Sequence, residues 1–204
     1  MIRNIVFDMG GVLITFDRKL FLDRLGLSPS DTTLLKNEVF LSVEWARMDR
    51  GSMTEETALE SICRRLPAAL HEPARRLIFS WDDPVLPIEG MEELVRELKS
   101  NGYHIFLLSN ASFRLHEYWQ KIPCHDAFED ILVSADEGLV KPQPEIYRRA
   151  FEKFGILPEE SLYIDDLPAN AEGAFFTGMA SRVFHADVPA LRAWMRAQGV
   201  KVRA

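Results

Sequence analysis

Cysteine is nearly absent. Cys63 and Cys124 are the only two in 204 residues, and their separation has no metal-ligand spacing. With no secretory leader pattern, a reducing cytoplasm is the expected compartment. Positive charge is also scarce: 24 Lys and Arg against 31 Asp and Glu leave a net charge of −7. That balance argues against a general affinity for nucleic acid or for an anionic membrane. An anionic ligand would have to be met by a metal ion or a dedicated lysine. Apolar runs of bilayer-spanning length, internal repeats and low-complexity tracts are missing too. What is present is 47% hydrophobic residues, enough for one domain, or one domain with an insert, to bury a core. The sequence does not choose between a monomer and a homodimer.

The apolar residues fall into two periods. Five short runs, "IVF", "YHIFLLSN", "DILVSAD", "SLYIDD" and "ASRVFHA", read as strands closed by turn-forming residues. Between the later runs lie helical stripes: Met91, Leu94, Val95 and Leu98 before Gly102, and Ile146, Tyr147, Ala150, Phe151 and Phe154 before Gly155. Strands alternating with helices predict an α/β fold, a doubly wound, Rossmann-like and mainly parallel sheet of about five strands.

One interval breaks the alternation. More than eighty residues separate the first two strands and read almost wholly as helix. "SPSD" resembles a capping box with proline at the first helical position. Ala58, Leu59, Ile62, Cys63 and Leu66 form an apolar face after Thr54, and Ala74, Leu77, Ile78 and Trp81 form another. Residues 16–86 are therefore expected to be an inserted helical cap, with 1–15 and 87–204 forming the core domain. "DDPVLPIEG" is the expected return hinge.

In open parallel sheets ligands gather at the carboxyl ends of the strands. There the sequence places Asp8 after the first strand, Ser109 and Asn110 after the second, Lys141 beyond the third, and Asp165 and Asp166 after the fourth. A carboxylate, a hydroxyl, an ammonium and an acidic pair at one rim suit phosphoryl transfer. An aspartate attacks phosphorus to give an aspartyl-phosphate, which divides one hard hydrolysis into two displacements. Magnesium, a hard cation with oxygen ligands, would cancel the repulsion between two approaching anions. Lys141 would add a point charge, and Ser109 with the loop amides would hold the non-bridging oxygens.

Four motifs in order, "FDMGG", "LLSNA", "VKPQPEIY" and "YIDDLPAN", together resemble the haloacid dehalogenase superfamily, with the helical insert where that family carries a cap. The first loop, the "SN" followed by "RLH", and the "DD" pair look like the branch that includes bacterial glucose-1-phosphate phosphatase and the phosphatase domain of soluble epoxide hydrolase. The resemblance implies a magnesium-dependent phosphatase of a small phosphorylated metabolite, a sugar phosphate foremost. Asp8 would be the nucleophile, and Ser109, Asn110 and Lys141 would hold the phosphoryl group. The metal would be bound by Asp8, by the backbone carbonyl of Gly10 and by Asp166. Asp165 would ligate, bind through water or orient Lys141.

Taken singly, these residues have ordinary readings: Asp8 a turn cap, "SN" a helix start, Lys141 a surface charge, Asn170 a helix cap, and Trp45, Arg47 and Arg50 packing and a solvated face. Two other functions use the same motifs. A metal-independent 2-haloacid dehalogenase would attack carbon through the same aspartate, although adjacent carboxylates near a third repel without a cation. A catalytically impaired binding or regulatory module would keep the pocket alone.

Gly10 is the departure from the family pattern, which has an aspartate there as general acid and base. Such help is worth roughly 10²- to 10⁴-fold in rate. A site with no replacement, from water or from a side chain such as His116, should favour leaving groups that depart well as anions. A leaving-group series checks this: rates falling steeply from aryl to alkyl phosphates are expected, and a flat dependence on leaving-group acidity would refute it.

Overall fold

The computed structural model describes residues 1–203. Its centre is a five-stranded, all-parallel sheet of β1 (Asn4–Phe7), β2 (His104–Ser109), β3 (Asp130–Val133), β4 (Ser161–Asp165) and β5 (Ala180–Val183), in the order β3-β2-β1-β4-β5. The chain steps outward from β1 in one direction through β2 and β3. It then crosses to the other side for β4 and β5, so the switch in strand order lies at β1 and β4.

Both faces of the sheet are covered, which is why its central strands are apolar without interruption. Alternate residues serve opposite faces. Ile5, Phe7, Ile105, Leu107, Leu162 and Ile164 belong to one cluster with the helices Met91–Ser100 and Val188–Ala197. Val6, Phe106, Leu108, Leu132 and Tyr163 belong to another with Pro144–Phe154. Both apolar stripes read from the sequence lie within these helices. Gly155, at φ 64°, closes the second, its N–H donating to the Phe151 carbonyl. The run "DILVSAD" is strand only as far as Val133; Ser134–Glu137 turns into a short helix. The Ser134 hydroxyl there binds backbone of other segments, an attachment that periodicity does not encode.

The insert has its own apolar cluster, drawn wholly from residues 16–81 and including Phe21, Leu35, Phe40, Ile62, Leu77 and Ile78. Its helices start where side chains supply the missing acceptors. The Ser28 hydroxyl caps Pro29–Leu35 and also donates to the Asp31 carboxylate at 2.7 Å, and Thr54 caps Glu55–Cys63. Exit and return are stitched together: Thr15 N–H donates to the Leu86 carbonyl at 2.8 Å and Ile88 N–H to the Leu13 carbonyl at 3.0 Å. Among the described residues no helix is long and apolar enough to cross a membrane.

Arg114, after β2, ties the insert to the sheet. Its guanidinium donates to the Ile78 carbonyl at 2.9 Å and pairs with Asp82 at 2.9 Å. Asp82 is only 3% exposed, so removing its partner strands a buried charge. Arg114→Ala should lower the unfolding free energy by about 3 kcal/mol, read as a reduced denaturant midpoint; an unchanged midpoint would show that Lys121, 3.6 Å from Asp82, suffices.

Candidate active site

Strand register brings the acidic residues together. Phe7 of β1 lies opposite Leu107 of β2 and Ile164 of β4. One step further, Asp8 stands beside Asp165, and its N–H donates to the Ile164 carbonyl at 2.9 Å. Ser109 ends β2 on the same rim, buried at 1% exposure. Asp8, Ser109 and Asp166 line a cavity of about 630 Å³ between the sheet edge and the insert, with Asp165 buried behind them.

Lys141 holds the rim together. Its ammonium lies 2.9 Å from Asp8 Oδ1 and 2.7 Å from Asp165 Oδ2, and donates to the Leu108 carbonyl at 3.1 Å. An ammonium has three protons to give, and all three are taken inside the protein. Burial alone would pull the Lys141 pKa down; the charges of Asp165 and Asp8 overcome it and raise the pKa. The surface reading of this lysine is therefore corrected: its side chain is 0% exposed.

The side-chain amide of Asn110 also has a different task from the phosphate contact expected of it. Its Nδ2 donates to the Lys141 carbonyl at 3.1 Å and its Oδ1 accepts the Lys141 N–H at 2.8 Å. In this structure it fixes the lysine's backbone, although Asn110 still borders the cavity.

The two carboxylates of "DD" differ in surroundings. Asp165 is fully buried and accepts from Lys141, from Tyr163 Oη at 2.6 Å, from Asn170 Nδ2 at 3.1 Å and from Leu167 N–H at 2.8 Å. Desolvation raises its pKa, but the Lys141 charge and these hydrogen bonds win and leave it lowered. Of the roles open to Asp165, orienting Lys141 has the most contacts behind it. Asn170 is no helix cap, since Leu167 holds that place before Pro168–Phe176. Asp166 is half-buried and faces the cavity; burial and then the Asp165 charge push its pKa up. Burial, with the Asp165 charge adding and Lys141 opposing, pushes Asp8 up to about 7.

Such a cluster fits a divalent cation. Asp8, Asp165 and Asp166 offer carboxylate oxygens within 4.8 Å of one another. Once all three are ionised, three carboxylates against one ammonium leave two negative charges, and hard oxygen donors are what magnesium takes. Gly10 borders the same cavity with backbone only. A Cβ built on it would stand 3.2 Å from Phe16 Cβ, so Phe16 walls the space where a longer side chain would begin.

His116 is 48% exposed, pairs with Asp136 at 2.8 Å and is not on the cavity wall. Trp45 is on that wall, whereas Arg47 and Arg50 are exposed and away from it. Sequence reasoning missed Tyr163, although Tyr163 and Asp165 sit two apart on one strand and so share a face. It also missed Asp49 and Glu55 on the insert side of the cavity, which no linear spacing connects to Asp8.

A haloacid dehalogenase-like hydrolase family model matches residues 2–175. The chain belongs to that family. It is 26% identical over 183 residues to D-ribitol-5-phosphate phosphatase of Bacteroides thetaiotaomicron, covering 83% of this chain and 85% of the relative. It is also 26% identical over 188 residues to the sesquiterpene phosphatase astK of Aspergillus oryzae, covering 85% of each. Among solved structures, the enzyme bt-2542 of Bacteroides thetaiotaomicron, in complex with magnesium and inorganic phosphate, superposes with a TM-score of 0.73. That pair is 22% identical, over 94% of this chain and 99% of the other.

Gly11 is the residue that allows Asp166 to sit so close to the first loop. Its φ is +73°, and a Cβ there would overlap the Asp166 carboxylate. Gly11→Ala should therefore cost at least about 1 kcal/mol from backbone strain alone and displace Asp166. Magnesium should raise the melting temperature of the wild type but not of the variant; equal stabilisation of both would contradict this packing.

Proposed function

We propose that this chain is a magnesium-dependent phosphatase that hydrolyses a small phosphorylated metabolite, with a sugar or polyol phosphate as substrate, through an aspartyl-phosphate on Asp8. The observation carrying this reading is the buried Asp8–Lys141–Asp165 chain with Asp166 beside it. Magnesium, when bound, would neutralise charge on the phosphoryl group. Asp8, the Gly10 carbonyl and Asp166 would hold it, with Asp165 behind Lys141.

The nucleophile is held for attack. Asp8 Oδ1 accepts from Lys141 and from Met9 N–H at 2.7 Å, which leaves Oδ2 to approach phosphorus. Ser109 and the amides of the first loop would receive the phosphoryl oxygens. Lys141 acts on them through its charge. We assign 1–15 and 87–204 to the hydrolase core and 16–86 to the cap, which closes the cavity and selects the substrate. A volume of about 630 Å³ is within the ordinary range for small-ligand sites. Its aromatic wall, Phe16, Trp45, Trp81 and Tyr118, suits the C–H face of a polyol or sugar, and the relative named for ribitol 5-phosphate supports that class.

The dehalogenase reading is disfavoured by the crowded carboxylates, which need a cation that carbon chemistry at this aspartate does not. The binding-module reading has Gly10 as its only support.

Asp8→Asn should abolish phosphate release while thermal unfolding shows an intact fold, and EDTA should stop the wild type until magnesium is restored. Unchanged turnover in the variant would remove Asp8 as nucleophile, and activity indifferent to EDTA would remove the metal.

A further inference from the structure

Gly10 leaves the leaving-group oxygen without a proton donor from the first loop, yet the opposite wall of the cavity carries a carboxyl group that no motif announces. Asp49 is the last residue of the insert helix Val43–Asp49, and it borders the cavity together with Asp8, Gly10 and Lys141.

Its position is fixed by backbone rather than chance. The Asp49 carbonyl accepts the Ser134 hydroxyl at 2.5 Å. That same hydroxyl, buried at 0% exposure, accepts the Ala111 N–H at 2.9 Å in the loop after β2. Two residues on, Gly51 has φ +72° and lies so close to the Ala135 carbonyl that a Cβ there would overlap it. The corner from Asp49 to Gly51 is thus docked directly on the core, beside the phosphate end of the cavity.

The neighbours of Asp49 suit a carboxyl group that both gives and takes a proton. Burial pushes its pKa up to about 7; Arg18, Lys141 and the Trp45 indole oppose, and Glu55 adds to the rise. A group poised near neutrality serves equally as acid and as base. Of the other charged residues on the cavity wall, the Glu55 carboxylate accepts the Ser112 hydroxyl, Asp17 accepts the N–H groups of Lys19 and Leu20, and the Arg18 guanidinium lies over the Phe16 ring. The Tyr118 phenol is held protonated by its burial.

We propose that Asp49 is the catalytic acid and base of this enzyme, supplied by the cap across the cavity in place of the side chain that Gly10 lacks. This rests on the phosphatase reading above. In the first displacement an Asp8 carboxylate oxygen bonds to phosphorus as the bond to the leaving oxygen breaks. The Asp49 proton goes to that oxygen, which leaves as an alcohol. In the second, the Asp49 carboxylate takes a proton from water as the water oxygen bonds to phosphorus. The Asp8–phosphorus bond breaks, inorganic phosphate is released, and both aspartates return to their starting states. The steep leaving-group dependence expected from Gly10 alone then belongs to a variant without Asp49.

The test compares an alkyl phosphate with 4-nitrophenyl phosphate, with magnesium, for the wild type, Asp49→Asn and Asp49→Glu, after thermal unfolding has shown each to be folded. With the alkyl substrate, Asp49→Asn should lose about 10²-fold or more in kcat. With the aryl substrate, whose leaving group needs no proton, it should lose much less in the first displacement, read as the burst of 4-nitrophenolate. The glutamate variant should regain part of the alkyl rate. Equal losses on both substrates, burst included, or no loss on either, would overturn the role of Asp49 while leaving the phosphatase reading intact. A wild type that releases phosphate from neither substrate would overturn both.

Discussion

A buried ammonium between two carboxylates is the constraint on which the rest of this molecule depends. Lys141, fully enclosed, touches Asp8 at 2.9 Å and Asp165 at 2.7 Å. Three elements distant in sequence must be in register for those contacts to exist: the end of β1, the loop beyond β3 and the end of β4. Taking such charges out of water is costly, and only near-complete hydrogen bonding offsets it. The structure supplies that at every atom. Asn110 fixes the lysine backbone, Leu108 takes its third proton, and Tyr163, Asn170 and Leu167 saturate Asp165. What stays unsaturated is the negative charge on Asp8 and Asp166, facing the cavity. The scaffold is thereby completed everywhere except where a cation and a phosphoryl group would enter.

The sheet was legible in the sequence because its physics is local. Strands buried on both faces read as unbroken apolar runs, and helices read as stripes ending at glycines, so the alternation could be followed along the chain. The rim residues were legible for a related reason. A parallel sheet aligns the carboxyl ends of its strands, so residues just after each run must meet. What was not legible depends on docking between segments. Nothing in the spacing of Asn110 says that its amide will bind Lys141, thirty-one residues on. The same holds for Asp49, whose place depends on the Ser134 hydroxyl eighty-five residues away and on a glycine that permits close approach. Tyr163 was within reach of period-two reasoning, because strand alternation puts it on the face of Asp165.

Gly10 takes on a different meaning once the insert is in view. From sequence, it subtracts a proton donor. In the structure, Phe16 stands against it and belongs to an aromatic wall with Trp45 and Trp81, while Asp49 borders the same space from the other side. On the proposal made for Asp49, chemistry that the first-loop pattern would keep on the core would be divided between core and insert, and proton transfer would require that the Asp49 corner be seated on Ser134 and Ala135.

The most direct measurement of the central claim is a crystal structure grown with magnesium and a fluoroberyllate mimic of the phosphoryl group. The account predicts one cation held by Asp8, the Gly10 carbonyl and Asp166, with the mimic on Asp8 beside Ser109 and Lys141 still bound to Asp165. A cation lodged elsewhere, or a mimic seated away from Asp8, would contradict it.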